Sequence, residues 1–577
     1  MIGKLKNNYL IIIILFFSFL SKTILLGSFP TGISNDELHF VLNAKSVYYR
    51  FSDIAHSGWN PLTLSTIPRE TSSELPFLIL APLIGPLPTN LFTARLPLAI
   101  LGTIFTYLIY LITLRLFKSK PISLLSALIS VLNPWAFYVF RTSFDAPIAL
   151  TFFLWGIYLV LRYSDSHSVY SLLPFTIAFY TYIGTKLIFI PIIFATVYFS
   201  YHRLKLSKKS ALLICFVSLI IFSFYLIKTF SSHEVRLGEL ITPHSPIIVN
   251  EVIQNRTASV SSPLTPLINN RYVIFLKFII TKYLTNFSPD LFFLTGDHTF
   301  MVSLWQHGYF YYLDALLLFI GIVYLFSRYP YAFFYLVFLI ALSPLPEALR
   351  SDKIPAYAFH SCFQYPFIYI FIASGIYYLW TLKNKYIFLF LLTIQTIQIF
   401  NLVDIYFNRY PVYQPEAFTF SRQVLSQYLW LSSPLVQNIY VITSDPDSTF
   451  RNYIFYQNLL NKSSIDNISS QYRQFPNRNY FRLGNIVFTN DINHTPRQDA
   501  PTDIYILQKS LSQRAPHEPS KFINLLNTTD TLYTISNDKL CPQAPTTNGL
   551  PLQTWQFSIS RLSPPQFCQL YISPDSH

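Results

Sequence analysis

The chain has 577 residues, of which 52% are hydrophobic and only 12% charged, with a mean hydropathy of +0.38. A soluble globular chain carries about 25% charged residues, and no single water-soluble core can hold this much apolar surface. The net charge of +14 would suggest nucleic acid as the partner of a soluble protein. Here the basic residues sit in short loops between apolar runs, where they set membrane orientation, and no nucleic-acid partner is expected.

In chain order, the first apolar run is Tyr9–Leu26. It lacks a small-residue cleavage site and is expected to be a retained helix rather than a signal peptide. Further runs predict helices near 92–117, 121–139, 146–162, 169–183, 186–201, 210–230, 309–326, 331–344, 363–381 and 386–404, about eleven crossings with 9–27 included. The run 76–88 is short and broken by prolines, so it reads as re-entrant or interfacial. Lys4, Lys6, Arg115, Lys118, Lys120, Arg162, Arg203, Lys205, Lys208, Lys209, Arg328, Lys383 and Lys385 cluster at alternate loops. By the positive-inside rule those loops and the N-terminus are cytoplasmic. The outer side then holds two long loops, 28–91 and 231–308, while every inner loop is short. A working site is therefore expected to face outward.

From about Tyr410 the composition changes. The segments Asn438–Thr443, Asn485–Thr489 and Asp503–Gln508 read as strands, and Ser448–Leu460 as a helix, which predicts a small extracytoplasmic α/β domain over 410–577 behind a membrane domain over 1–405. Cys215 and Cys362 fall in apolar runs and read as packing residues. Cys541 and Cys568 share the tail, where a disulfide is open to them if the tail is outside.

The sharpest local signal is Ser34-Asn35-Asp36-Glu37. Ser34 and Glu37 have the spacing of a capping box, and acids favour a helix N-terminus. That accounts for Glu37 and leaves Asp36 without a structural reason. Leu38, Val41, Leu42, Tyr48 and Phe51 continue at helical spacing, which predicts a helix lying on the membrane surface. Arg141 and Asp145 stand four apart at outer helix ends, where an i,i+4 salt bridge is the plain alternative to a functional role. Lys186 ends the run Tyr180-Thr181-Tyr182-Ile183-Gly184-Thr185-Lys186, either as a snorkelling lysine or as a cation for a lipid phosphate. There is no HExxH, CxxC or acidic cation loop, and no Walker A or GxGxxG, so neither a metal motif nor a nucleotide cofactor is indicated. His298, His307 and His360 are scattered and read as surface or packing residues.

These elements, in this order, resemble the GT-C superfamily of membrane glycosyltransferases. The likeness is to the bacterial family 39 or RgtA/B/C/D-like branch of protein mannosyltransferase-like and aminoarabinose transferase-like enzymes. It covers about residues 30–380. It is carried by Asn35-Asp36-Glu37, Asn60-Pro61-Leu62, Ala94-Arg95-Leu96-Pro97, Asn133-Pro134-Trp135 with Arg141 and Asp145, Tyr180–Tyr182, and the block Phe287–Asp297. Two places depart from the pattern. Relatives tend to carry Arg where this chain has Lys186, and a His-Ala-x-Arg element where it reads Tyr357-Ala358-Phe359-His360.

The resemblance implies a GT-C fold and a sugar donor on a polyprenyl phosphate in the outer leaflet. The acceptor would be a hydroxyl of a glycolipid, a lipid-linked glycan or a protein. Asp36 would take the acceptor's proton, with inversion at the sugar C1, and Asp145 would orient the acceptor or assist. Lys186 and Arg95 would meet the leaving phosphate. Arg141 would hold Asp145, with Glu37 and Tyr182 in support. No cofactor is implied, and a divalent metal stays open. A lipid-glycan flippase is the alternative, although related halves and broken midplane helices, the marks of transporters, are not evident. A scaffolding protein would leave the Asp36 and Asp145 pair unexplained.

The orientation has a direct test. Single-cysteine labelling with a membrane-impermeant reagent should reach positions 205 and 448 from opposite faces. Labelling of both from one face would overturn the topology.

Overall fold

The computed structural model describes residues 9–55, 75–231, 240–297, 299, 301, 304, 306–352, 354, 356–491, 503–514, 521–524, 531–542 and 559–573. Each of the eleven segments expected to cross the membrane is helical. They are α1 (Tyr9–Thr23), α4 (Leu91–Phe117), α5 (Lys120–Leu132) with its continuation α6 (Pro134–Val139), α7 (Asp145–Arg162), α8 (Leu172–Thr181), α9 (Thr185–Arg203), α10 (Lys208–Ser231), α13 (Tyr312–Arg328), α14 (Pro330–Leu342), α15 (Tyr365–Thr381) and α16 (Lys385–Asp404). Between α1 and α4 lie α2 (Asn35–Arg50) and α3 (Leu75–Ile84), and the loop between α10 and α13 adds α11 (Pro246–Thr257) and α12 (Arg271–Thr285).

Seven stretches among the described residues are long and apolar enough to span a bilayer unaided, beginning with Leu91–Phe117 and ending with Lys385–Tyr413. Shorter apolar helices such as α1 and α5 complete the bundle. Their outward faces are apolar. Phe16 and Phe17 on α1, Phe216 and Ile227 on α10, Phe319 and Phe326 on α13, and Leu389 and Phe390 on α16 are all exposed. Such surfaces are stable in hydrocarbon, where each helix satisfies its own backbone, so this is a multi-pass membrane protein. Helix–helix contact in lipid relies on close packing rather than on expulsion of water. Gly321 of α13 and Gly375 of α15 meet accordingly: a Cβ at Gly321 would lie 1.8 Å from the Phe371 carbonyl, and one at Gly375 would lie 2.1 Å from that of Leu317.

The C-terminal part holds α17 (Phe420–Ser432), α18 (Pro446–Tyr456), α19 (Ile465–Gln474) and α20 (Pro564–Tyr571), around a sheet. Its strands are β1 (Ile439–Ile442), β2 (Tyr480–Leu483), β3 (Ile486–Thr489), β4 (Ile504–Gln508), β5 (Lys521–Asn524) and β6 (Thr531–Ser536), in the order β2-β3-β1-β4-β6-β5. The central β3, β1 and β4 run parallel, with Ile439 opposite both Ile486 and Ile504. Their β-branched and aromatic residues suit strands covered on both faces. The other neighbours pair antiparallel. Cys541 and Cys568 form a disulfide.

One expectation is corrected. The first part of the apolar face of α2 is covered by protein rather than by the membrane surface, and only Tyr48 and Phe51 of the expected stripe are exposed. Leu38, Val41 and Leu42 join a core that also contains Phe77 and Leu80 of α3, Tyr428 of α17, Phe450 of α18 and Ile439 of β1. The period was read correctly and the partner was not, because an apolar stripe does not say whether lipid or protein covers it.

The glycine contact gives a stability prediction. Gly375→Leu should lower the thermal unfolding midpoint of the detergent-solubilised protein, with overpacking costing about 1–3 kcal/mol or more. An unchanged midpoint would mean that α13 and α15 do not meet this closely.

Candidate active site

Ser34 caps α2 as its spacing foretold. Its hydroxyl accepts from the Glu37 amide at 3.2 Å, and the Glu37 carboxylate accepts from the Ser34 amide at 3.1 Å. Glu37 does more than cap. It is fully buried and takes the Arg95 guanidinium in a forked pair, Nε to Oε1 at 3.0 Å and Nη2 to Oε2 at 3.3 Å. The Ser143 amide also donates to Oε1, at 3.0 Å. Arg95 gives its remaining bonds to the carbonyls of Pro30 and Gly32, both at 2.7 Å. Gly32 has a positive φ of 82°, and a Cβ there would strike the Phe418 carbonyl at 2.2 Å. Arg95 has no accessible surface, so the structure gives it to Glu37 rather than to a phosphate.

The Asn133 block is built around helix starts. Asn133 caps α6, accepting from the Ala136 amide at 3.0 Å, and Pro134 occupies the first turn, where its missing N–H costs nothing. Asn133 also donates to the Tyr309 carbonyl at 2.8 Å and accepts from the Tyr369 hydroxyl at 2.9 Å. After α6 the chain turns at Arg141–Phe144 before α7 begins at Asp145. The four-residue spacing is therefore not helical, and the expected Arg141–Asp145 pair does not form. Arg141, fully buried, bonds to the Tyr406 hydroxyl at 2.8 Å, the Ser21 carbonyl at 2.9 Å and the Phe29 carbonyl at 3.3 Å. The rings of Phe137, Tyr406 and Phe407 pack around its guanidinium. Asp145, half-buried, stands in the first turn of α7, where the helix dipole favours its charge.

Lys186 is also turned inward. Its ammonium bonds to the carbonyls of Phe179, in the last turn of α8, and of Tyr182, just after it, and lies 4.7 Å from the centre of the Phe179 ring. A cation at a helix C-terminus satisfies carbonyls that the helix leaves open. Tyr182 is buried, its hydroxyl has no hydrogen-bond partner among the described residues, and its ring meets that of His360. Asp145 and Glu347 lie within electrostatic reach of that hydroxyl.

The charged groups converge on Tyr357. Burial pushes its hydroxyl pKa up, and the carboxylates of Asp36, Asp297 and Asp145 add to the effect while Arg350 opposes it. Asp36 is exposed in the first turn of α2. Asp297 closes the Phe287–Asp297 block and accepts from the Tyr309 hydroxyl and, at 3.2 Å, from the Ala358 amide. Burial raises its pKa against those bonds. The Arg350 guanidinium lies 5.3 Å from the centre of the Tyr357 ring and pairs with Asp352 at 2.7 Å. Lys282 of α12 bridges Asp352 at 2.9 Å and Glu347 at 3.2 Å, and His360 meets Glu347 at 3.3 Å. Arg350 Nη1 has no hydrogen-bond partner among the described residues.

Of the residues singled out in the sequence, Asp36 and Asp145 lie within electrostatic reach of Tyr357, as does Asp297 at the end of the Phe287–Asp297 block; Tyr357, Arg350, Lys282 and Glu347 were not singled out as site residues. The signal for Glu347, Arg350 and Tyr357 was the polar content of 347–360 between two apolar helices, and Lys282 on α12 had no such signal. His360, read as a packing residue, sits in this ion network. Asn60-Pro61-Leu62 and His298 lie outside the described residues. Among the described residues no three His, Cys, Asp or Glu side chains are grouped to hold a metal ion.

The fold is that of a helical multi-pass membrane protein with charged loops between its helices and a C-terminal α/β sheet region. Residues 83–227, which contain Arg95, Arg141, Asp145, Tyr182 and Lys186, match the family model for dolichyl-phosphate-mannose-protein mannosyltransferase. No curated protein matches the chain in sequence. Among solved structures it is similar to ArnT from Cupriavidus metallidurans bound to undecaprenyl phosphate, at 10% identity and a TM-score of 0.48, over 92% of this chain and 97% of that one. It is also similar to the archaeal oligosaccharyltransferase AglB from Archaeoglobus fulgidus in complex with an inhibitory peptide and a dolichol-phosphate. That likeness has 11% identity and a TM-score of 0.41, over 88% of this chain and 70% of that one. The family match and the sequence resemblance support a membrane glycosyltransferase of the GT-C class.

The Glu37–Arg95 pair can be tested apart from activity. Glu37→Gln keeps the cap but leaves Arg95 buried without its counter-charge, a loss of about 3–5 kcal/mol. The unfolding midpoint should fall sharply, and the double variant Glu37→Gln/Arg95→Gln should recover part of it. A single variant that melts like the wild type would remove the pair from its structural role.

Proposed function

We propose that this protein transfers a sugar from a polyprenyl-phosphate donor to a hydroxyl of a glycolipid, lipid-linked glycan or protein at the outer face of a cell membrane. The observation that carries the reading is the family match over residues 83–227, with Asp36 and Asp145 both within electrostatic reach of the Tyr357 hydroxyl, beside Arg350. In this reading Asp36 removes the acceptor proton as the acceptor oxygen attacks the sugar C1. The C1–O bond to phosphate breaks with inversion, and polyprenyl phosphate leaves with the electron pair. Asp145 orients the acceptor. Arg95 and Lys186 are held by partners inside the protein, so this reading gives the leaving phosphate to Arg350, a loop cation beside Tyr357 whose buried Nη1 has no hydrogen-bond partner among the described residues. Cys541–Cys568 agrees with a tail outside the cell, where disulfides persist.

The test is release of polyprenyl phosphate by purified protein from a panel of polyprenyl-phosphate hexoses and pentoses. A flippase would leave the donor intact. Asp36→Asn should bind donor normally and transfer at least ~100-fold more slowly, as loss of a general base predicts. Arg350→Ala should raise the donor KM by roughly tenfold or more, the worth of one charged hydrogen bond, whereas Lys186→Ala should show in thermal stability. Wild-type transfer by Asp36→Asn would refute the base.

A further inference from the structure

The three residues that open α2 point three ways, because neighbouring side chains on a helix diverge by about 100°. Glu37 enters the membrane bundle and meets Arg95 at 3.0 Å. Asn35 goes the other way, into the C-terminal domain. Its Oδ1 accepts from Arg422 Nη1 at 2.8 Å and from the Ser448 hydroxyl at 2.5 Å. Asp36 is carried between them.

This second hold is built rather than incidental. Arg422, on α17, also donates to the Ser448 hydroxyl, so the three side chains close a triangle. Ser448 is fixed in turn at the start of α18, its amide donating to Asp445 at 3.1 Å, and Arg422 stands 3.8 Å from the same carboxylate. One turn along α2, His39 meets Arg451 at 3.3 Å, and Arg451 is braced by Asp447 at 2.9 Å. At the far end Arg50 bonds to Asp466 at 3.1 Å and to Ser469 at 2.8 Å. The core beneath is shared as well, with α2, α17 and α18 in one apolar cluster.

We infer that Arg422 and Ser448 are positioning residues which, through Asn35, fix the angle of the first turn of α2 and hence the place of Asp36. The C-terminal domain is then a working part of the transfer site. The inference rests on the reading of Asp36 as the base. A first turn has no intrahelical partners for its amides, so its direction depends on outside contacts. A general base displaced by about 1 Å can lose on the order of 100-fold in rate.

The experiment uses full-length protein in the donor-release assay, with Asp36→Asn as reference and the Cys541–Cys568 disulfide and unfolding midpoint as folding controls. Arg422→Ala and Asn35→Ala should each lower kcat by about tenfold or more while leaving the donor KM within about twofold, since the contact lies away from the phosphate. The double variant should be no slower than the worse single one, because each single variant already breaks the Arg422–Asn35 bond and opens the triangle. Arg422→Lys, which keeps a donor for Asn35 Oδ1, should regain part of the rate. If Arg422→Ala and Asn35→Ala fold and turn over normally while Asp36→Asn is slow, the positioning role is wrong and the base stands. Additive losses would also overturn it, since the two residues would then act separately. Normal turnover by Asp36→Asn would bring down the base and the positioning role together.

Discussion

Glu37 and Arg95 are opposite charges with no accessible surface, and the segments around the candidate site are arranged about them. Two ions taken out of water must be repaid by geometry and by further hydrogen bonds. Here the repayment is complete on the acid, which accepts from Arg95 twice, from Ser34 and from Ser143. It is nearly so on the base, which reaches Pro30 and Gly32 as well. The pair therefore joins the loop after α1, the start of α2, the first turn of α4 and the turn before α7. Each of these carries or adjoins a residue of the candidate site. The acid beside Glu37 is exposed because Glu37 itself is spent on holding the frame.

The cations divide in a similar way. Arg95, Arg141 and Lys186 stand near helix ends, and all three turn inward to carbonyls, hydroxyls, a carboxylate or rings. A buried guanidinium offers several donors in one plane and can tie several chain segments at once. Arg350 differs in lying on a loop, beside Tyr357 and among acids from three other segments. Loops placed on a rigid frame are where binding groups collect, and the frame here is made by the buried cations.

The membrane helices were legible because hydropathy is a one-dimensional signal, and every one of the eleven expected segments is helical. The same holds for the strands near 438–443, 485–489 and 503–508, which became β1, β3 and β4. The capping box was legible because its partners are three residues apart. What was illegible was distance in sequence. Arg95 is 58 positions from Glu37, and Tyr406 is 265 from Arg141. The Arg141–Asp145 spacing misled because the helix between them is interrupted, and Lys186 misled because a helix end offers carbonyls as good as any ligand. The covering of α2 by the tail could not be read from an apolar stripe alone.

The partners of Arg141 also lie far apart in time. The Ser21 and Phe29 carbonyls leave the ribosome before it, and the Tyr406 hydroxyl follows 265 residues later. At synthesis rates of about 5–20 residues per second, that is a wait of tens of seconds. During it the guanidinium has two carbonyls and the Phe137 ring for company, and the hydroxyl and rings that complete its cage have yet to be made. The last crossing is thus a closing bolt. The bundle inserts segment by segment, and the set of contacts around Arg141 is complete only when α16 has entered and brought Tyr406 alongside.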